Sequence, residues 1–409
     1  MQTVPPRPQA IPSINFDAIR RSSKDSTIQS HSVDGNTHYK ITEDYSLTDA
    51  LGRIEFIAEE LLKDDLPLFD VQVTAGKAGV YSTPLSTALI EVLKTDVTVI
   101  HERFPFYVYH PYIAVFMRLA QKYDLYHWAS IYHSLSNNER VDVARRVNHM
   151  CEALRDECRS KAFKKSMKGH LALVRKNHKS LHRYIDALFV TYARLLVIRI
   201  DLDYLKGAQP ARDWTQARQH RKQIIVFINK ELPRLLQSEF AQAAGQGSIK
   251  VPGYVICAEY GADAGWHFHV TLLLNGNDSC RSVDIARLVG EHWNKQIAQG
   301  VGRYYNCNAH PSKYKSWGIG DVHWWDMEKR EGLRVAIAYF GKADYYGNGL
   351  IQGNDRFLSR GGMPREKKKL GRPRSAPSRV GVPEAPDLQG TALRAALLLP
   401  RIWQTEVPF

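Results

Sequence analysis

The stretch LLVIRIDLDYL (195–205) alternates: Ile198, Ile200 and Leu202 fall on one side, and Arg199, Asp201 and Asp203 on the other. Successive side chains of a strand point to opposite faces, so this spacing predicts a half-buried strand. VPGYVICAEYG (251–261) predicts a second strand, GADAG a tight turn and WHFHVTLLL a third strand, so the pair reads as a hairpin. Between the first and second strands, Asp213 is placed to cap a helix running to about Glu231. Its apolar stripe is Ile224, Ile225, Ile228 and Leu232, and Pro233 ends its regular part. After the hairpin, Ser282 caps a helix carrying Ile285, Leu288, Val289 and Ile297 on one side, and Gly300 closes it. GIGDVHWWD (318–326) predicts a fourth strand, and residues 329 to about 346 a further helix. The order β-α-β-β-α-β plus one helix predicts an α+β, ferredoxin-like arrangement: an antiparallel sheet with helices on one face.

Upstream, Leu47 to Leu135 reads as several short helices, broken at Pro105 and Pro111. Asn137 to His182 reads as a basic helical stretch containing RSKAFKKSMKGHLALVRKNHK. Such a run is either a solvated face or a nucleic-acid contact. Residues 1–40, rich in Pro, Ser, Gln and Asn, read as disordered or loosely attached. The expected domains are therefore 1–40, a mostly helical basic region 41–184, a sheet domain 185–350 and a basic tail 351–409. The tail carries Lys367, Lys368, Lys369, Arg372 and Arg374 within REKKKLGRPR, a phosphate-binding arm, and LRAALLLPRIW reads as a short docking helix. The GRPR piece resembles a minor-groove hook core.

Charge narrows the partners. Fifty-six Lys and Arg against 42 Asp and Glu give a formal net charge of +14, which favours polyanions, nucleic acid above all. No apolar run approaches the roughly 18 residues needed to span a bilayer, so no membrane partner is expected. The start MQTVPPRPQAIPS lacks a signal-peptide core, so a cytoplasmic location is expected. Five scattered cysteines with no CxxC pair fit a reduced compartment and argue against a structural zinc site.

The third strand carries the chemistry. Trp266, Phe268, Val270 and Leu272 share the face that should meet the helices, while His267, His269 and Thr271 share the other, expected to be open. Two strand histidines on one face are either a hydrogen-bonded pair or metal ligands. Glu259, at the end of the preceding hairpin strand, supplies a carboxylate third ligand. Two imidazoles and a carboxylate suit Mg²⁺ or Mn²⁺, and such a mixed set also takes Zn²⁺. His269-Val-Thr271 is half of a two-histidine phosphoesterase signature, but the chain has no second His-x-Thr or His-x-Ser. In RVAIAYFGKADYYG, Leu333, Ile337 and Phe340 line one side of a helix and Val335, Tyr339, Lys342 and Tyr346 the other. Tyr339 is either an ordinary surface tyrosine of an amphipathic helix or a nucleophile for a DNA phosphate, forming a 5′-phosphotyrosine with Lys342 neutralising charge beside it. Tyr345 and Tyr346 are alternative nucleophiles. The loop VGRYYNCNAHPSKYKSWG interleaves Arg303, Lys313 and Lys315 with Tyr304, Tyr305, Tyr314 and Trp317, a composition suited to single-stranded DNA. Of Trp324 and Trp325, one should be core and one near the site. His323 is a candidate outer ligand, and His178 and His182 form an i, i+4 pair.

VICAEYG, GWHFHVTLLLNG and AYFGKA together resemble the HUH endonucleases, which combine His-hydrophobic-His, an upstream Glu and a later Tyr-x-x-Lys. Within them, Phe189 to Lys342 is similar to the inovirus-type replication initiators and to the related YagK/YfjJ C-terminal domains of prophage-like elements. The resemblance implies that His267, His269 and Glu259 hold Mg²⁺ or Mn²⁺, that Tyr339 attacks, and that Lys342 is the motif lysine. It departs from the two-tyrosine members, because Ala343 stands where their second tyrosine falls. Either one tyrosine acts here, or Tyr345 or Tyr346 takes the second role. The implied activity is rolling-circle replication initiation by nicking and rejoining single-stranded or hairpin origin DNA. Double-stranded origin DNA and a host replication helicase are further candidate partners. The alternatives are a relaxase, a single-tyrosine transposase, or a non-catalytic DNA-binding regulator on the same fold.

Overall fold

The structure, a computed structural model, describes residues 28–33, 36–41, 43–74, 77–95, 97–105, 108–241, 248–261, 264–310, 318–338, 340, 347–348 and 357–364. The described residues all fall within one compact unit, residues 1–367. The region before residue 192 is mostly helical: α1 (Glu43–Leu61), α2 (Pro84–Leu93), α3 (Val97–Arg103), α4 (Pro111–Lys122), α5 (Leu125–Ser130), α6 (Asn137–Arg159) and α7 (Lys161–Thr191). Pro84 and Pro111 open α2 and α4, where the missing N–H has no helical partner to lose. Ser136 and Glu139 form a capping box at the start of α6. The Ser160 hydroxyl accepts from the Phe163 N–H at 3.1 Å, so one serine ends α6 and caps α7.

Two hairpins interrupt the helices: β1 (Ile28–Val33) with β2 (Asn36–Ile41), and β3 (Asp70–Thr74) with β4 (Lys77–Tyr81). The first lies inside the segment read as disordered or loosely attached. The second lies where the sequence reads as helical. A short strand, β5 (Val108–Tyr109), precedes α4. No described helix is long and apolar enough to cross a membrane.

The main sheet is antiparallel and mixed with helices. Its strands are β6 (Arg194–Tyr204), β7 (Gly253–Gly261), β8 (Gly265–Asn275), β9 (Gly302–Asn306), β10 (Gly320–His323) and, beyond the two-residue β11 (Gly347–Asn348) that pairs with β5, β12 (Leu358–Arg360). The order across the sheet is β10-β6-β8-β7-β12, with β9 also on β6. One edge of β6 thus serves two partners: residues 194–197 pair with β10 and residues 200–204 with β9. The expected loop at 301–318 therefore begins as a strand, sharing the edge position that sequence gave to residues 318–326 alone. Helices α8 (Trp214–Val226), α9 (Ser282–His292) and α10 (Met327–Ala338) accompany the sheet. The regular part of α8 ends at Val226, before Pro233, and the helix runs on as wider π turns at Phe227–Glu231 and Gln237–Ala241 around a short α-helical turn, Leu232–Leu236. Pro233 sits in the first turn of that piece, where its missing N–H costs no bond, so it does not end the helix as expected. Asp213 caps α8 as expected, its side chain accepting from Thr215 N. Ser282 does not cap α9: the cap position is Arg281, which makes no side-chain cap bond, and Ser282 is the first helical residue.

Both faces of the sheet are covered, but not over the same length. On one face Ile198, Ile200, Leu202, Trp266, Phe268, Val270 and Leu272 pack with Trp214, Ile224 and Ile228 of the α8 stretch and Ile285 and Val289 of α9. On the other, Leu195, Val197, Val255, Cys257 and Leu273 meet Leu181, Tyr184, Ile185 and Leu188 of α7, and Leu333, Ile337 and Phe340 in and beyond α10. The histidine face, expected to be open, is instead roofed over one half. Strand rhythm follows the roof. Residues 195–198 of β6 are buried without interruption, whereas 199–204 alternate. A strand covered on both sides carries continuous apolar residues, and one covered on a single side alternates.

His178 and His182 lie buried on α7 with their Nε2 atoms 3.0 Å apart. One ring donates to the other, so the pair is a core contact. Burial, then the neighbouring His178 and Arg334, hold His182 down to about 4, against a weaker opposing pull from Asp186. Burial also lowers His178. Unfolded histidine takes its proton near pH 6.5, whereas folded His182 resists. Stability is therefore full above that pH and is lost as pH falls toward 4, by about 3 kcal/mol from His182 alone. Denaturant titrations across this window should show the loss, and His182→Leu should reduce it. An equal loss in both chains would refute the assignment.

Candidate metal centre

At the edge of the roofed half, four strands contribute one row of side chains. Register sets Cys257 of β7, His269 of β8, Asp201 of β6 and Tyr305 of β9 side by side. One step along, Glu259 lies opposite His267. The pairing of Gly261 with Gly265 at the end of the hairpin fixes this register. Gly265 has φ +71°, and a Cβ there would come within 2.1 Å of the Ala211 carbonyl oxygen. Only glycine satisfies both demands.

The two imidazoles are held differently. His267 donates from Nδ1 to the Gly265 carbonyl at 3.0 Å, which leaves Nε2 facing Glu259 Oε2 at 3.9 Å. His269 donates from Nδ1 to Asp201 Oδ1 at 2.6 Å and from Nε2 to Glu259 Oε2 at 3.1 Å. The ring planes are perpendicular, with centroids 5.0 Å apart. One ligand atom from each of Glu259, His267 and His269 lies within 4.8 Å of the others. Two ligands about 2.1 Å from an ion, at right angles, stand about 3.0 Å apart. The separations from Glu259 fit such a shared centre, and two nitrogens with one carboxylate oxygen suit a divalent cation.

Electrostatics agrees with these contacts. Burial alone would depress His269, but the Asp201 and Glu259 carboxylates outweigh it and raise the imidazole to about 9. Burial would raise Asp201, yet His269 and Arg199 hold it well below the usual carboxylate range. His267 is pushed down by burial and by His269. Without a cation, His269 is thus an imidazolium bridging two carboxylates.

Asp201 is the site residue that sequence reading missed. Its carboxylate also meets Arg199 Nε at 3.6 Å, while the Cys307 thiol donates to Oδ2 at 3.6 Å. A carboxylate on the far nitrogen of a ligating histidine fixes the ring and its tautomer. Strand alternation did place Asp201 on the polar face. Its partner strand was the unknown.

The other expected residues divide. Phe340 is buried, its ring centroid 6.2 Å from His269 and 5.5 Å from the Arg199 guanidinium carbon. Its carbonyl accepts from the Cys257 thiol at 3.5 Å. Leu333 and Ile337 are buried with it and Val335 is exposed, as the helical reading requires. Tyr339, Lys342, Tyr345 and Tyr346 lie outside the described residues, as do Lys313, Tyr314, Lys315, Trp317, Lys367, Lys368, Lys369, Arg372 and Arg374. Alternation along β9 separates the remaining three. Tyr305 joins the histidine row and stacks on His310, centroids 5.3 Å apart. Tyr304 turns to the helical layer, so close to Gly290 that a Cβ there would fall 2.3 Å from its ring. Arg303 is exposed and paired with Asp203 at 2.9 Å. His323 pairs with Arg194, seven residues along β6 from Asp201 and so about 23 Å from the site, too far for an outer ligand. Trp324 packs on the second core and Trp325 is exposed at that same distant end.

Searches of curated proteins and of solved structures return no match to this chain. Residues 157–344, which span α7, the four central strands, β10 and α10, match the family model of the YagK/YfjJ C-terminal domain.

Proposed function

We propose that the chain is an HUH-type single-strand DNA endonuclease that nicks and rejoins origin DNA to start rolling-circle replication. The observation that carries this reading is the Glu259–His267–His269 cluster, with Phe340, the neighbour of Tyr339, packed beside it. The antiparallel sheet, with helix between β6 and β7 and again between β8 and β9, is compatible with the ferredoxin-like sheet this reading calls for. The net charge of +14, which favours a phosphodiester substrate, also supports it.

His267, His269 and Glu259 would hold the cation, with Asp201 orienting His269. A bound Mg²⁺ or Mn²⁺ supplies Lewis-acid polarisation of a phosphate oxygen. In the nicking step the Tyr339 oxygen forms a bond to phosphorus and the O3′–P bond breaks. The phenol proton passes to solvent and the departing 3′ oxygen takes one up, leaving a 5′-phosphotyrosine and a free 3′-OH. Because the new ester keeps the bond energy, the 3′-OH rejoins the strand by the reverse displacement. Lys342 would neutralise the phosphate. Arg199, on the same face of β6 one step from that row and beside Asp201 and Phe340, is a second cation near the site.

The test is incubation of the full chain with end-labelled single-stranded DNA and Mn²⁺, followed by mass spectrometry of any DNA-linked peptide. The expected peptide contains Tyr339, and EDTA should stop its formation. Linkage undiminished by the chelator would exclude the metal's part, and no linkage on any single-stranded substrate would refute the endonuclease.

A further inference from the structure

Helix α7 carries a second feature on the side away from the sheet. Its buried arc holds Phe163, Val174, Leu181, Ile185 and Leu188. The opposite arc holds Lys161, Lys164, Lys168, Arg175, Lys179 and Arg183, all exposed. At 100° per residue these six fall within an arc of about 100°, and at 1.5 Å per residue they extend over about 33 Å. Lys165 and Lys176, also exposed, widen the same stripe. Residues 160–185 contain no Asp or Glu. Asp186, next on the same arc, is held by Arg330 and Arg334 of α10, each at 3.1 Å, and among the described residues no carboxylate pairs with any of the α7 cations named above. A stripe of this kind repels itself and is costly for a helix unless a polyanion neutralises it.

We infer that the outer arc of α7 is a docking surface for the phosphate backbone of double-stranded DNA. Its length matches one helical turn of duplex, about 34 Å. A single-strand site would interleave aromatic rings for base stacking, and this arc has none. An interfacial membrane helix needs a free apolar face, and that of α7 is buried in the two cores. The helix also ties the surface to the candidate metal centre. Tyr184, Ile185 and Leu188 rest on the histidine face of the sheet, so a duplex on the outer arc lies one helix diameter, about 10 Å, beyond it. The surface binds duplex whether or not the metal centre cleaves.

The test is fluorescence anisotropy of the full chain with a labelled 30-base-pair duplex across a salt series. Lys168→Ala/Arg175→Ala/Lys179→Ala should weaken duplex binding by more than about 100-fold near 0.1 M salt and flatten the log–log salt slope by about 2.7. Lys222→Ala/Lys230→Ala/Lys295→Ala removes the same charge from the opposite helical layer and should change binding by less than about threefold. Circular dichroism and Mn²⁺ affinity should match the wild type in both. Equal weakening by the two triples would mean net charge alone, and an unchanged first triple would mean binding elsewhere; either overturns the inference. Tighter binding to a 30-nucleotide single strand, or to vesicles containing phosphatidylserine, than to duplex would overturn the choice of partner.

Discussion

A Tyr339→Phe chain binds single-stranded DNA as the wild type does and forms no covalent adduct. Losing the phenolic oxygen removes the only atom that can carry the phosphate in the proposed step. Nicking should fall by at least about 10⁴-fold, the scale on which loss of a covalent nucleophile is felt. The change deletes one oxygen from a chain whose neighbouring Phe340 stays buried against His269 and Arg199, so stability should be nearly untouched. Denaturing gels of labelled oligonucleotide report the adduct, and anisotropy reports binding. Tyr345→Phe and Tyr346→Phe separate the alternatives. If the adduct survives Tyr339→Phe and disappears in one of them, the nucleophile is that residue. If it survives all three, phosphotyrosine chemistry is excluded.

Much of the sheet was legible because its information is local. Trp266, Phe268, Val270 and Leu272 alternate with His267, His269 and Thr271, and the structure buries the first set under α8 and α9. Glu259 was found because a tight turn fixes its register against β8 from sequence alone. Asp201 was not, because β6 and β8 are joined only through a distant pairing that no local pattern encodes. The roof over half of the histidine face was missed for the same reason. Yet its trace is present: LLVI in β6 and LLL in β8 are continuous runs, and each stops where alternation and the polar site begin. The β1–β2 hairpin had a signal too, the Asp34-Gly35 spacer between IQSHSV and NTHYKI. Its polar strands lack the apolar face that makes a strand readable. Residues 302–306 form a strand although their rings and cations read as a DNA-contacting loop. Tyr304 and Tyr305 in fact serve opposite faces of one strand.

Asp201→Asn distinguishes a metal centre from a buried ion pair. Asparagine keeps the shape and can still accept from His269 Nδ1, but it removes the charge that Arg199 and Cys307 now flank. As a positioning residue for a ligating histidine, Asp201 should be worth 10- to 100-fold in cation affinity, roughly the usual weight of such a partner. Calorimetry of Mn²⁺ binding to the full chain measures it directly. Nicking should decline in parallel and return as Mn²⁺ is raised, since the defect is one of affinity. His267→Ala removes a ligand and should show no such rescue. If instead Asp201 only neutralises a buried imidazolium, Asp201→Asn lowers thermal stability, leaves Mn²⁺ affinity as it was, and ends the case for an oriented ligand on β8.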